Sequence, residues 1–197
     1  RGDRVRTIVD PVVEPPDQPR EAAQDLREAL ATDRLVFALF GALTERKGVL
    51  QTLAAVAALD PATRARIRVV IAGEVDPALR HAVGIATAGL RADVATVECW
   101  RLLDRRLTTA ELAGVVDRAD VVLAPYQRFV GSSGVLAWAA ARGKPVIAQD
   151  YGLVGALVRK YSLGLATETL DPARIAAAIR HLAAPGAIAG WRAASGC

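Results

Sequence analysis

Between Leu35 and Leu182, short apolar runs alternate six times with amphipathic stretches, and that rhythm admits few folds. The runs Leu35 to Phe40, Ile67 to Ala72, Val94 to Cys99, Asp120 to Ala124, Pro145 to Ala148 and Gly164 to Thr167 read as strands. Val121 to Ala124 is a continuous apolar run, the pattern of a strand buried on both faces. A helical pattern over Arg20 to Ala31 precedes the strands, with Ala23, Leu26 and Leu30 on one face. Helices are expected between and after the strands: Val49 to Leu59, Pro77 to Leu90, Thr109 to Asp117 behind a Thr cap, a short one after Gly134, Leu153 to Tyr161, and Asp171 to Leu182. Asp60-Pro61 reads as the stop of the first of these, and Asp171-Pro172 as the cap and first position of the last. Repeated strand–helix–strand units close with right-handed crossovers, so the expected fold is α/β, a doubly wound parallel sheet of about six strands with helices on both faces.

In such a sheet, ligands bind beyond the carboxyl ends of the strands, near the point where strand order reverses. Three loops fall there: Gly41-Ala42-Leu43-Thr44-Glu45-Arg46-Lys47-Gly48, Gly73-Glu74, and the turn Gly131-Ser132-Ser133-Gly134 with Val135 behind it. The last places small residues at a helix start, where free N–H groups and the helix dipole favour an anion. A serine that merely caps its helix gives the same pattern. Arg46-Lys47 stands before Gly48 and a helix, where cations oppose the dipole unless an anion lies between; a solvated charge pair is the competing reading. Together the loops suggest a phosphate-bearing ligand. Neither a Walker A loop nor G-x-G-x-x-G is present, which argues against a P-loop enzyme and a standard dinucleotide fold.

Composition narrows the class. With 52% hydrophobic and 23% charged residues, the 197-residue chain can bury a sizeable core. Its net charge of +4 is spread among acidic residues, and aromatics are only 5%, so a nucleic-acid surface is not expected. Ala dominates and Arg far outnumbers Lys, a compositional bias without functional meaning. Cys99 and Cys197 have no metal spacing, and His81 and His181 lie in expected helices away from the ligand edge. No metal or other cofactor is expected. A cytoplasmic setting is the default for so few cysteines, and nothing in the chain supports contact with a membrane surface. The chain lacks any Met, which suggests a piece of a longer protein.

The blocks Phe40-Gly41-Ala42-Leu43 with Arg46-Lys47-Gly48-Val49, Ala119 to Tyr126, and Gly143-Lys144-Pro145-Val146-Ile147-Ala148-Gln149-Asp150-Tyr151-Gly152 resemble the C-terminal domain of family 4 glycosyltransferases. These are retaining enzymes of the GT-B architecture, whose halves are Rossmann-like. The resemblance divides the chain into a connector and leading helix, 1–33, with a short strand at Val5 to Val9, and a donor-binding domain, 34–197. The acceptor-binding domain would precede Arg1. It implies a nucleotide-diphosphate-sugar donor: Lys47 matches the diphosphate-binding lysine, and Ser132, Ser133 and Gly134, with Val135, match the segment that meets the distal phosphate. Gly41 and Gly73 line the same edge, and Trp100-Arg101 would end a strand near the nucleobase. The family's phosphate-binding Arg falls at Ala42, with Arg46 as a substitute from the same loop.

Three carboxylates of the family pattern are absent. Its glutamates around the Gly-Ser turn fall at Val130 and Trp138, and a later one falls at Ala156, which leaves the catalytic residues unassigned. Two readings follow. One is a glycosyltransferase domain that binds a nucleotide-diphosphate sugar for transfer to an acceptor, inactive when isolated. The other is a non-catalytic nucleotide- or partner-binding domain of the same fold. Glu74 reads as a solvated loop residue, Asp150 as a turn cap, and Trp191 as a packing residue.

Overall fold

Phe37 has a parallel strand on either side of it, Val69 on one and Val121 on the other, and the whole sheet is built outward from that position. In the computed structural model, which describes residues 23–195, the strands are β1 (Leu35–Phe40), β2 (Ile67–Ala72), β3 (Trp100–Leu103), β4 (Val121–Ala124), β5 (Val146–Gln149) and β6 (Gly164–Thr167). They form one parallel sheet in the order β3-β2-β1-β4-β5-β6. The order reverses between β1 and β4, so the loops leaving those two strands diverge and open a crevice at the carboxyl edge. The expected strand at Val5 to Val9, the connector before Arg20 and Cys197 lie outside the described residues.

The helices are α1 (Gln24–Leu30), α2 (Val49–Ala57), α3 (Pro61–Arg66), α4 (Arg80–Ala92), α5 (Val94–Val97), α6 (Thr109–Arg118), α7 (Gly134–Ala141), α8 (Gly152–Lys160), α9 (Pro172–Ala183) and α10 (Ala187–Ser195). Successive strand residues point to opposite faces. Phe37 and Leu39 therefore join Leu53 and Val56 of α2, Val83 and Leu90 of α4, and Ile175 and Ile179 of α9 in one core. Val36, Ala38 and Phe40 join Leu26 and Leu30 of α1, Val115 and Val116 of α6, Leu136 of α7, and Val154 and Val158 of α8 in the other. Each large side chain so buried contributes roughly 1.5–3 kcal/mol, which two-sided burial collects along every central strand. On α1 the inward position expected for Ala23 is taken by Ala29, and Ala23 is exposed.

Two expectations are corrected. Asp60-Pro61 ends α2 but also begins α3: the Asp60 carboxylate accepts the Thr63 N–H, with Pro61 at the first helical position. The run Val94 to Cys99 is not a strand. Asp93 turns it into α5, its carbonyl accepting the Thr96 and Val97 N–H groups and its carboxylate the Thr96 hydroxyl. The ladder with β2 starts only where Cys99 O accepts the Val69 N–H, and β3 follows from Trp100. Residues 77–79 form a 3-10 turn ahead of α4, and α10 lies beyond the last helix expected.

Candidate functional site

The loop leaving β1 is held against the loop leaving β2. Gly41 N–H donates to Ala72 O at 3.1 Å, Leu43 N–H to Glu74 O at 2.9 Å, and Asp76 N–H to Leu43 O at 3.1 Å. The chain then makes a single 3-10 turn, Glu45–Lys47, closed by Gly48 at φ 69°. Gly48 is required there, since a Cβ would stand 2.1 Å from Pro125 O. That close approach brings the first loop onto the exit of β4, where Gln127 N–H donates to Arg46 O at 2.8 Å.

Lys47 is the result of this geometry. Its Nζ donates to Phe40 O at 3.3 Å and to Tyr126 Oη at 3.4 Å, and lies 5.0 Å from the Tyr126 ring centre. Among the described residues no carboxylate is its partner. Burial, with Arg46 beside it, pulls its pKa from 10.5 down to about 8. A desolvated ammonium with neutral hydrogen-bond partners and a second cation beside it is costly to keep, and an incoming anion would relieve that cost. The exposed Arg46 guanidinium stacks 4.4 Å over the Phe129 ring, and Tyr126 meets Phe129 edge-on at 5.2 Å.

Across the crevice, Ser133 caps α7, its Oγ accepting the Leu136 N–H at 3.4 Å, and the same Oγ lies 2.6 Å from Tyr126 Oη. The turn before it is braced from two sides. Gln127 Nε2 donates to Pro125 O at 2.7 Å and to Thr169 O at 2.8 Å, and Thr169 Oγ1 donates to Tyr126 O at 2.8 Å. Gln149 Nε2 donates to Phe129 O and, at 2.8 Å, to Tyr151 O. A cation on one wall and a helix start on the other are the two kinds of group that attract an anion.

The structure brings together Gly41, Arg46, Lys47 and Ser133, flanked in the turn by Ser132, Gly134 and Val135. A Cβ on Gly41 would lie 3.5 Å from Lys47 Nζ, so Gly41 itself forms the floor beneath the ammonium. Gly73 backs Gly41 from behind. Trp100 and Arg101 do not join them. Because Val94 to Val97 is helical, both residues begin β3 rather than end it. Trp100 is buried in the core under the Arg91 guanidinium, and Arg101 turns back to Val97 O and Trp100 O. Glu74 is exposed, and α8 is preceded by Tyr151 with no side-chain cap, so Asp150 does not cap it. His81 sits in the first turn of α4, on the carboxyl side, and His181 in the last turn of α9. Trp191 Nε1 donates to Ser162 O at 3.0 Å, a packing role.

Val130 is 74% exposed at the lip of the turn, and Trp138 is half-buried with the Arg142 guanidinium 5.1 Å from its ring. Tyr126, Gln127 and Phe129 stand in contact with this cluster, and the sequence alone assigns them no role. The signal for Tyr126 was a hydroxyl-bearing aromatic directly after a strand-ending proline. Two concavities elsewhere, of about 440 and 350 Å³, lie near the start of β1, with Asp33, Arg34 and Arg66 in its lining, and between α2 and α4. Among the described residues no group of three metal-ligating side chains converges, and no helix is long and apolar enough to cross a membrane.

The family model described as glycosyl transferases group 1 matches residues 34–184. Among solved structures, the C-terminal domain of LpcC, a glycosyl transferase group 1 family protein from Francisella tularensis, superposes with a TM-score of 0.69 at 15% identity, covering 84% of this chain and 83% of that one. HepE from Anabaena, in complex with UDP and glucose, gives 0.66 at 18% identity, over 88% of this chain and 48% of its own. The trehalose-6-phosphate synthase OtsA gives 0.71 at 17% identity, over 87% of this chain and 40% of its own. At these identities the likeness is one of fold, and the chain spans less than half of the two longer neighbours. No curated protein sequence matches it.

Proposed function

This chain belongs to the group 1 glycosyl transferases, and we propose that it is the half of such an enzyme that holds a nucleotide-diphosphate sugar while the sugar passes to an acceptor with retention. One observation carries the reading: the unpaired, desolvated Lys47 ammonium faces the Ser133-capped start of α7 across the point where strand order reverses. There the cation and the N–H groups of the turn would take up the charge that grows on the leaving diphosphate, without a metal ion. Arg46, poised on Phe129, supplies a second cation from the same turn. The acceptor is assigned to a separate domain, as the length of the longer neighbours suggests, and the reaction to the cytoplasm. A second reading, a domain that binds a nucleotide or partner without transfer, is favoured by Val130, Trp138 and Ala156 at the three carboxylate positions of the family pattern.

The test is calorimetric titration with UDP, GDP and ADP, beside Lys47→Ala. UDP is the first choice because HepE was crystallised with it. Binding of one nucleotide in the micromolar-to-millimolar range, lost in the variant, is the expected result; indifference to all three would sink the donor-site reading. Sugar transfer by the protein with its acceptor domain, and none by residues 1–197 alone, would separate the first reading from the second.

A further inference from the structure

Resting on the reading of this edge as a diphosphate cradle, we propose that Tyr126 is a positioning residue whose phenol joins the Lys47 ammonium to the Ser133 hydroxyl in a directed chain of donors. The direction follows from what each group can do. An ammonium only donates, so Tyr126 Oη accepts from Lys47 at 3.4 Å. A backbone N–H only donates, so Ser133 Oγ accepts from Leu136 at 3.4 Å. The phenol has one proton, and it is assigned to the 2.6 Å contact with Ser133 Oγ, where either oxygen has the geometry to donate. Both lone pairs of the serine oxygen are then occupied, and its own proton is left to donate to an acceptor in the crevice. The chain therefore carries the pull of a half-buried cation through a phenol to a hydroxyl on the opposite wall, and each link polarises the next.

The phenol remains protonated for this task, since burial pushes its pKa above the usual tyrosine value. The charged groups on the surrounding elements are Glu45 and Arg46 on the first loop, Glu74 after β2 and Arg128 after β4, all exposed, while α7 has none between Gly134 and Ala141. Of these, Arg46 bears on both Lys47 and Tyr126, adding to the depression of the Lys47 pKa and opposing the larger rise that burial gives Tyr126. When Lys47 loses its proton, its lone pair can accept from the phenol, the phenol oxygen then accepts from Ser133, and the serine proton turns inward. The same three groups thus offer a donor to an anion when Lys47 is charged and withdraw it when Lys47 is neutral.

The test pairs binding with a titration that needs no ligand. UDP titrations of wild type, Tyr126→Phe, Ser133→Ala and the double variant are expected to show each single change weakening binding about 5- to 10-fold, and the double no weaker than either single. Affinity should fall between pH 7 and pH 9 in wild type, and the fall should begin at lower pH in Tyr126→Phe, where Lys47 loses its proton earlier. Additive losses, or an identical pH profile in Tyr126→Phe, would overturn the proposal. In the ligand-free protein, carbon NMR of the lysine side chains should show Lys47 titrating at lower pH in Tyr126→Phe than in wild type, because its acceptor is gone. An unmoved Lys47 titration overturns the chain whatever the nucleotide result. Absence of binding to UDP, GDP and ADP by wild type overturns instead the cradle reading on which it rests.

Discussion

Gly73 and Gly41 meet backbone to backbone: a Cβ on Gly73 would stand 1.8 Å from the Gly41 carbonyl oxygen. Gly73 also sits at φ 154°, a conformation that other residues avoid. Gly73→Ala therefore combines backbone strain with a clash that no side chain can relieve by moving. The expected cost is more than about 3 kcal/mol in urea denaturation, together with displacement of the loop that carries Lys47. Gly84→Ala in α4, where nothing lies within 4 Å, is the control and should stabilise by about 0.5–1 kcal/mol.

Lys47 gives a prediction with opposite signs for stability and binding. Its folded pKa of about 8 lies below the ordinary 10.5, so the unfolded chain holds the proton more tightly. Below about pH 8 this group therefore destabilises the fold, and that penalty fades as pH climbs from about 8 to 10.5. Lys47→Met removes the desolvated charge and keeps the volume. At pH 7 it should stabilise the protein by about 1–3 kcal/mol, erase the rise at alkaline pH, and abolish nucleotide binding. Thermal unfolding at pH 7 and pH 10 checks the first two. A variant less stable than wild type at pH 7 would contradict the account of Lys47 as a strained cation.

Glu111 titrates in the other direction. The Arg105 guanidinium, at 2.7 Å, and the Thr108 N–H hold its carboxyl down at about 2. It contributes stability above the ordinary glutamate range, and that contribution disappears as pH falls toward 2. Arg105 also grips Asp25 of α1 at 2.7 Å, so Glu111→Gln loosens the docking of α1 as well as the capping box of α6. The expected loss at pH 7 is about 1.5–3 kcal/mol, shrinking when both proteins are measured near pH 3.

The parts of the fold that were legible in the sequence are those where burial acts on both sides of the chain. β1 and β2 fall at their expected residues because a central strand is apolar on both faces, with Arg68 at the start of β2 the one exception. The run Val94 to Cys99 looked alike, but one local competitor, Asp93 with Thr96, redirected it into a helical turn. That shift carried Trp100 and Arg101 from one edge of the sheet to the other. That Lys47 and the Gly-Ser turn lie at one edge of the sheet was legible because each follows a strand end in the chain. Tyr126 was not: its role comes from contacts with Lys47, 79 residues earlier, and Ser133, which exist only once β4 lies beside β1.

The cross-ties at the carboxyl edge run without a gap from Asp104, whose carboxylate accepts the Val75 N–H, through Leu43, Arg46 and Gln127 to Thr169. A nucleotide reaching such an edge would find its receptor already shaped, and would surrender little loop entropy on arrival. Capture would then be governed by encounter and long-range attraction to the cations, and differences among ligands would be expressed in how long each one stays.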